Sequence, residues 1–319
     1  MPTVQTVQGA IDADELGLVL AHEHVRFRDE AVAAQWPGRY DEQLELDAAL
    51  VAVNAASDRG VRTIVDPTAM FGGRDVHFMK RVADETGVQI VACTGIYSYD
   101  YLPHYFENRD IDMMADHFVE DIERGIQGTD IKAAFLKCAA DAAGVTEHVE
   151  KIHRAVARAS LQTGAPIMAH SMPAVATGPR QLEIFKQEGV DMAKVHVAHC
   201  GDTDDVSYIE SLIEEGVYVG LDRYGLEMYL PMDRRNATAA TLLEHGHAER
   251  LIISQDFCAS IDWFPAEAAE SFEAAGAIRN WSMTLVFDEV VPDLRERGAM
   301  DDASYNTVFV ENPRRWLTA

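Results

Sequence analysis

Residues 17–27 read GLVLAHEHVRF, an apolar run that ends in two histidines separated by one glutamate. Side chains of a β-strand alternate between its two faces, so His22 and His24 would point one way and Glu23 the other. Histidine is the commonest metal ligand among side chains. The stretch therefore predicts a strand whose C-terminal end presents two candidate ligands on one face.

Seven similar runs follow along the chain, and segments with helical periodicity separate them. The eight runs are LGLVLAHEHV, TIVDPTA, QIVACTGIY, AAFLKCA, PIMAHS, VHVAHCG, YVGLDRY and LIISQDF. Strand and helix alternating eight times predict an α/β protein, a (β/α)8 TIM barrel that forms a single domain over residues 1–319. A doubly wound sheet is the alternative, but its glycine-rich turn after the first strand is missing. The long connection at about 258–280 predicts a lid-like loop.

Composition excludes several classes of partner. The chain of 319 residues has 27 Lys and Arg against 53 Asp and Glu, a formal charge of −26, and no basic cluster stands out. This balance argues against nucleic-acid and membrane partners. The opening MPTVQTVQGA does not resemble a signal peptide, and no stretch is long enough to cross a bilayer, which predicts a cytoplasmic protein. Widely spaced cysteines without a CxxC pair indicate reduced thiols: Cys93, Cys138, Cys200 and Cys258.

Six polar side chains fall at the C-terminal ends of the predicted strands, where (β/α)8 barrels carry their active sites. They are His22, His24, Lys137, His170, His199 and Asp256. A single strand histidine is more often a core residue, but six unpartnered polar groups on one rim would cost several kcal/mol. Neutral imidazoles and a carboxylate around divalent metal satisfy one another. The set therefore predicts a metal centre.

Lys137 is the unusual member of the set, because AAFLKCAA places its amine in an apolar strand. Burial beside cations lowers the pKa of an amine. A neutral amine can take up carbon dioxide as a carbamate, whose two oxygens can bridge two metal ions, and this predicts two divalent ions per chain. Zinc is the first choice, with iron, cobalt and manganese as alternatives. A lysine that only extends toward water at the strand end is the structural alternative.

The other histidines are interpreted as structural. His245 and His247, in EHGHAE, precede the last strand and so lie at the opposite end of the barrel. His196 stands three residues before His199 and is expected to face the other side of the strand. Five more are interpreted as surface or packing residues: His77, His104, His117, His148 and His153.

Several motifs together resemble the phosphotriesterase family of the amidohydrolase superfamily over nearly the whole chain. They are HEH, FLKCAADAAGVT, PIMAHS, VAHCGDTDDVSYI, GLDRYGL, SQDFC and VENPRRWL. The sequence looks most like the phosphotriesterase-like lactonases, which hydrolyse N-acyl homoserine lactones and often act weakly on organophosphate triesters. The resemblance implies one metal held by His22, His24 and Asp256, a second held by His170 and His199, and a bridge of carboxylated Lys137 and hydroxide.

The resemblance also implies a substrate site. Tyr97, in GIYSYDYLPHYF, and Arg223, in GLDRYGL, would line it together with Cys258. Trp263, in CASIDW, would stand beside the lactone and at the contact of a homodimer. An ion pair with Asp222 or Asp202 is the structural alternative for Arg223.

The chemistry of these residues agrees with a hydrolase, and the resemblance implies that it opens N-acyl homoserine lactones by attack of the bridging hydroxide. Asp256 would take the proton of the hydroxide and deliver it to the leaving alkoxide, while Tyr97 donates to the ring oxygen or the carbonyl. The predicted function is quorum quenching on a small-molecule lactone. A phosphotriesterase or another esterase on the same site is the nearest alternative. A non-catalytic binding protein is a third, although it would not need Lys137 and Asp256 together. Gln255 stands where relatives often carry His or Asn and is expected to alter the surroundings of the ligands.

Overall fold

The computed structural model describes residues 2–319, and its strands build one barrel with a small hairpin beneath it. Strands β1 (Thr3–Thr6) and β2 (Gly9–Asp12) form the antiparallel hairpin. The barrel strands are β3 (Leu18–Leu20), β4 (Val61–Asp66), β5 (Gln89–Gly95), β6 (Phe135–Ala139), β7 (Ile167–His170), β8 (Val195–Ala198), β9 (Tyr218–Leu221) and β10 (Leu251–Ile253). Each barrel strand pairs in parallel with the next along the chain, without reversal of order. This order confirms the (β/α)8 barrel and excludes the doubly wound sheet.

Helices follow every barrel strand. They are α1 (Glu30–Gln35), α2 (Glu42–Asp58), α3 (Val76–Thr86), α4 (His104–Glu107), α5 (Ile111–Glu123), α6 (Glu147–Thr163), α7 (Thr177–Glu188), α8 (Val206–Glu214), α9 (Met232–Glu244), α10 (Ala266–Ala274), α11 (Val291–Glu296), α12 (Asp302–Asn306) and α13 (Asn312–Leu317). Asp75 and Thr146 cap the first turns of α3 and α6, and left-handed Gly87 and Gly164 end them. Within residues 2–319 no helix is long and apolar enough to cross a membrane.

The barrel interior is filled with apolar side chains from below. Phe135, Met168 and Ile252 point inward from the strands, and Trp316 of α13 reaches them from the N-terminal end of the barrel. Trp316 is fully buried, and its indole nitrogen donates to the carbonyl oxygen of Lys194 at 3.1 Å. Burying a large side chain of this kind stabilises the fold by about 3 kcal/mol. Because these lower layers consist mainly of apolar side chains, the polar side chains of the predicted site lie at the upper rim.

The barrel closes through the segments that follow β3 and β10, not through a ladder between these two strands in the described chain. The backbone N–H of His24 donates to the Phe257 carbonyl at 2.8 Å, and the N–H of Asp256 donates to the His22 carbonyl at 3.1 Å. The same contact continues to Phe27, whose N–H donates to the Ser260 carbonyl at 2.8 Å. We call this junction of residues 22–27 with residues 254–261 the closing seam.

The first and last barrel strands are shorter than the sequence patterns predict. LGLVLAHEHV and LIISQDF suggest strands that include the site residues, but β3 ends at Leu20 and β10 ends at Ile253. Beyond these ends the two segments bond to each other across the closing seam through isolated bridges and do not extend a continuous ladder. His22, His24 and Asp256 are therefore held by irregular backbone.

The predicted loop at 258–280 is present and contains a helix. After Cys258 and Ile261 bridge to the segment after β3, the chain forms α10. Two backbone bonds then tie its end to the connection after β9: the Met228 N–H donates to the Ala277 carbonyl at 3.0 Å, and the Arg279 N–H donates to the Gly225 carbonyl at 2.9 Å. The segment thus lies over the C-terminal end of the barrel.

His153 provides a test of packing that is independent of the site. It is fully buried on α6, its Nδ1–H donates to the Val149 carbonyl at 2.7 Å, and its Nε2 accepts from Gln181 at 2.9 Å. Burial lowers the pKa of His153 to about 4. Between pH 6.5 and 4 the unfolded chain binds this proton and the folded chain does not, so stability falls on acidification by about 1.4 kcal/mol per pH unit.

We therefore expect His153→Gln to reduce the pH dependence of the free energy of unfolding in that interval by about this slope. Urea denaturation at half-unit steps of pH measures it. His77→Gln, at an exposed position on α3, is the matched control. A slope for His153→Gln equal to that of the wild-type protein contradicts this account of the packing.

Candidate active site

All six predicted ligands meet at one opening of the barrel. Lys137 lies within β6 and His170 ends β7, while the others follow their strands. The imidazole Nε2 atoms of His22 and His24 lie 3.3 and 3.2 Å from Asp256 Oδ1. Lys137 Nζ is 3.4 Å from His22 Nε2, and the rings of His170 and His199 have centroids 4.4 Å apart. The fold thus brings the six side chains into one cluster.

The alternation predicted for residues 22–24 holds although the strand has ended. His22 and His24 both face Asp256, and Glu23 points to the other side of the segment. There the Glu23 carboxylate accepts from Ser254 Oγ at 2.6 Å and from the Phe257 N–H at 2.8 Å. Glu23 therefore fixes the closing seam while its neighbours supply ligands, a role that the sequence did not reveal.

Gln255 belongs to the same buried network. Its Nε2 donates to Glu23 at 2.9 Å and to the Met283 carbonyl at 3.1 Å, and its backbone N–H also donates to Glu23, at 3.1 Å. Its Oε1 accepts from the Val286 N–H at 3.1 Å. Gln255 thus acts on the site through the backbone beside Asp256.

Two further side chains fix the orientation of three of the histidines. Asp222 accepts from Nδ1 of His22 at 2.8 Å and of His199 at 3.0 Å, and Thr68 Oγ1 bonds to Nδ1 of His24 at 2.6 Å. Each contact leaves the Nε2 of that ring directed toward Asp256. Partners of this kind set the tautomer and ring orientation of metal ligands.

The His170 ring has the opposite orientation, with Nδ1 in place of Nε2 directed toward the opening. Its Nε2 bonds to Asp141 at 2.7 Å, and its Nδ1 faces the Tyr97 hydroxyl at 3.2 Å. Sequence reasoning missed Asp141 and Thr68 and considered Asp222 only as a partner of Arg223. Carboxylates that follow strands β6 and β9 are the signal that could have found the two aspartates.

Asp222 is electrostatically coupled to two of the predicted ligands. It is fully buried, and burial alone would raise the pKa of its carboxyl. His199 and His22 outweigh burial and hold that pKa well below its ordinary value. The carboxylate is therefore an anion beneath two ligands, a charge that favours a cation above them.

The interpretation of His196 is wrong in one respect. His196 points into the barrel, below the site, where its ring packs against Trp316 at a centroid distance of 5.2 Å. His199 faces inward as well because its φ of 67° turns the chain at the end of β8. Burial lowers the pKa of His196 to about 3, and its ring nitrogens have no hydrogen-bond partner among the described residues. It remains a packing residue. Five other histidines likewise remain surface or packing residues: His77, His104, His117, His148 and His153.

Two of the ligands adopt backbone conformations that non-glycine residues rarely occupy. His199 has φ 67° and Asp256 has φ 52°. Each left-handed residue of this type costs on the order of 1 kcal/mol. The cost is offset at His199 by a bond from its N–H to Asp222 Oδ1 at 2.7 Å, and at Asp256 by the closing seam. Strained, over-determined backbone of this kind is typical of functional sites.

Lys137 is held in a buried position. Its side chain is 1% exposed, and its Nζ contacts Met168 Sδ at 3.3 Å. Burial lowers the pKa of the Lys137 amine, as the sequence predicts, although Asp256 and Asp222 oppose the shift. The neighbouring strand approaches so closely that a Cβ at Gly95 would stand 1.9 Å from the Lys137 carbonyl oxygen. A lysine extended toward water does not fit this environment.

The predicted substrate residues line one cavity of about 340 Å³ above the cluster. Tyr97, Arg223, Cys258 and Trp263 all contribute to its wall. Arg223 also pairs with Asp202 Oδ2 and Asp256 Oδ2, both at 3.0 Å. The ion pair of Arg223 with Asp202 is therefore present. The ion pair with Asp222 is not, because Asp222 binds the histidines.

Tyr99 is a residue of this wall that sequence reasoning missed. Its hydroxyl lies 2.5 Å from that of Tyr97, and the Trp263 ring packs on both tyrosines. The cavity therefore has a polar floor and an aromatic wall.

Comparison with known proteins identifies the family of this chain. Residues 2–317 match the phosphotriesterase family. The chain belongs to this family. It is 44% identical to a Saccharolobus solfataricus protein named aryldialkylphosphatase, over 97% of each chain. It is also 39% identical to a Mycobacterium tuberculosis phosphotriesterase homology protein, over 99% of this chain and 97% of that one. A solved structure described as the phosphotriesterase from Mycobacterium tuberculosis has a TM-score of 0.93 and 39% identity and covers 99% of this chain.

The phosphotriesterase family consists of binuclear metal-dependent hydrolases, and the residues of this chain fit two metal ions. Donor atoms of His22, His199 and Asp256 lie within 4.8 Å of one another. His24 Nε2 and His170 Nδ1 face the same space. Imidazole and carboxylate donors, backed by hydrogen-bonded partners, are a suitable set for divalent transition metals.

We expect Asp222→Asn to weaken metal affinity by about 10- to 100-fold, because it removes the shared anion behind two ligands. Competition with a chelator, followed by elemental analysis, measures the affinity. Thr68→Val is the matched comparison, because the Thr68 hydroxyl contacts one predicted ligand, His24, where Asp222 contacts two, and it should affect a smaller share of the bound metal. Unchanged affinity in a folded Asp222→Asn protein contradicts the role assigned to this carboxylate.

Proposed function

We propose that this phosphotriesterase-family hydrolase opens lactones, with N-acyl homoserine lactones as the substrate class and quorum quenching as the role. The observation that carries the proposal is the form of the cavity above the ligands. Tyr97, Arg223 and Asp256 stand at its floor, and apolar side chains form most of the rest of its wall. A lactone with an amide-linked acyl chain has the same division between polar and apolar parts.

The apolar wall is extensive enough for an acyl chain. It contains Phe27, Leu226, Met228, Ile261, Trp263, Phe264, Phe272, Ile278 and Trp281. Five of these nine side chains belong to the 258–280 segment. Sites with mainly apolar walls and a few directed polar groups are typical of small-molecule binding.

Protonation states at the floor suit ester hydrolysis. Burial, reinforced by Tyr99, raises the pKa of the Tyr97 hydroxyl well above its ordinary value, so it stays a donor toward a ring oxygen or carbonyl. Burial alone would raise the pKa of Asp256, but His22 and His199 hold it well below its ordinary value. Its carboxylate can therefore accept a proton at neutral pH and return it to the leaving alkoxide, which in a lactone stays attached.

We assign one metal ion to His22, His24 and Asp256 and the other to His170 and His199, with a carbamate on Lys137 between them. The buried position of Lys137 and its lowered pKa support a neutral, nucleophilic amine. When bound, the two ions polarise the ester or phosphoryl oxygen and lower the pKa of water. Zinc is our first candidate, with iron, cobalt or manganese as alternatives.

Hydrolysis of phosphotriesters is the second candidate function, and one observation favours it. The relative from Saccharolobus solfataricus at 44% identity carries the name aryldialkylphosphatase. The same floor can serve either substrate, because both reactions need a polarised oxygen and a proton acceptor. We propose the triester activity as the weaker of the two.

The two candidates differ in their dependence on Tyr97 and Arg223. We expect Tyr97→Phe and Arg223→Ala to lower acyl homoserine lactone turnover by about a hundredfold, because a misplacement of the carbonyl by about 1 Å costs that much. Paraoxon, which has a good leaving group, should lose much less. Steady-state kinetics on C4 to C12 acyl homoserine lactones, δ-lactones and paraoxon measure the difference, with metal content determined for each variant.

Tyr101→Phe, in the same loop but 59% exposed, is the control and should change neither activity. Equal losses of both activities in the Tyr97 and Arg223 variants would count against a lactone-positioning role. A wild-type protein that hydrolyses paraoxon faster than every lactone would leave the phosphotriesterase assignment in place of the lactonase.

A further inference from the structure

A second group of metal-type side chains lies outside the barrel, at the end opposite the active site. Glu210 belongs to α8, and His245 and His247 lie in the connection between α9 and β10. We propose that this Glu210–His245–His247 cluster binds one divalent transition-metal ion, such as zinc, independently of the active site.

The donor atoms are already gathered. A single oxygen, Glu210 Oε1, lies 2.7 Å from His245 Nδ1 and 3.0 Å from His247 Nε2. All three atoms lie within 4.8 Å of one another. Tetrahedral zinc, with bonds of about 2.1 Å to N and O, sets its ligand atoms about 3.4 Å apart. Small side-chain rotations are therefore enough to admit the ion.

Backbone bonds hold the two imidazoles on the same side. The His245 N–H donates to the Thr241 carbonyl at 2.9 Å, and the His247 N–H donates to the Leu242 carbonyl at 3.0 Å. Gly246 between them has φ 86°, the left-handed conformation that ends a helix. The turn that terminates α9 thus sets the direction of both rings before any ion binds.

A metal ion can take the place of the two imidazole protons that face the Glu210 carboxylate. His245 and His247 both direct a ring nitrogen at the same carboxylate oxygen, and hydrogen bonds from His245 and then His247 lower the pKa of Glu210. In each neutral imidazole the proton can move to the other ring nitrogen, which frees the facing lone pair for the metal. Two imidazoles and one carboxylate are a frequent zinc ligand set, with a position left for water.

Access and charge also favour the ion. The side chains of His245, His247 and Glu210 are 51%, 25% and 28% exposed, so an ion reaches them from solvent. The chain carries a formal charge of −26, which raises the local concentration of cations. An ion held here would join α8 to the end of α9 and stabilise the native state by mass action.

Zinc titration of the holoenzyme, with its catalytic centre already loaded, tests the site. Isothermal calorimetry and elemental analysis should show one more ion per wild-type chain than per chain of the His245→Ala, His247→Ala double variant. Glu210→Gln, which keeps the packing of α8, should weaken the dissociation constant for this ion by at least about tenfold, since changes outside the ligand set alone cost that much.

His104→Ala is the matched control, because exposed His104 pairs with only one carboxylate, that of Glu107 at 2.8 Å. It should keep the additional ion, and anomalous scattering at the zinc edge should place that ion beside Glu210. Equal zinc binding by the wild-type protein, the double variant and Glu210→Gln would overturn the proposal. An additional ion lost in His104→Ala would overturn it too. Neither result depends on which substrate the active site takes.

Discussion

The closing seam is the constraint on which the site depends. Residues 22–27 and 254–261 bond to each other where β3 and β10 have already ended, and Glu23 secures the junction with bonds to Ser254, Gln255 and Phe257. A buried carboxylate without such donors would cost several kcal/mol. The same junction places the Nε2 atoms of His22 and His24 within 3.3 Å of Asp256 Oδ1. Closure of the barrel and assembly of half of the proposed metal site are therefore one structural event.

Charge accounts for the rest of the arrangement. Asp222 lies beneath His22 and His199, Asp141 holds His170, and the buried amine of Lys137 lies 3.4 Å from His22 Nε2. The Nδ1 atoms of His22, His24 and His199 each have a protein partner, while their Nε2 atoms lie 3.2 to 3.9 Å from the Asp256 carboxylate. Two divalent cations would satisfy these inward atoms and the buried anions together.

Much of this could be predicted from the sequence, and the limits have physical causes. Apolar runs and helical periodicity predict the barrel, because each strand must bury both faces. The alternation of His22, Glu23 and His24 survives the end of β3, so their directions are predictable. The inward turn of His199 is not, because no periodicity encodes a φ of 67°. Thr68 and Asp141, and the contacts of Asp222 with His22 and His199, could not be predicted, because partners of ligands are recognised by contact and those contacts form only in the folded barrel.

The central claim is that this rim holds two metal ions joined through Lys137. Diffraction from crystals of the zinc-loaded protein, recorded on both sides of the zinc absorption edge, tests it most directly. We predict two anomalous peaks about 3.5 to 4 Å apart, one beside His22, His24 and Asp256 and the other beside His170 and His199, with carbamate density continuous with Lys137 Nζ. A single peak, or two ions with a free Lys137 amine that touches neither, would contradict the account.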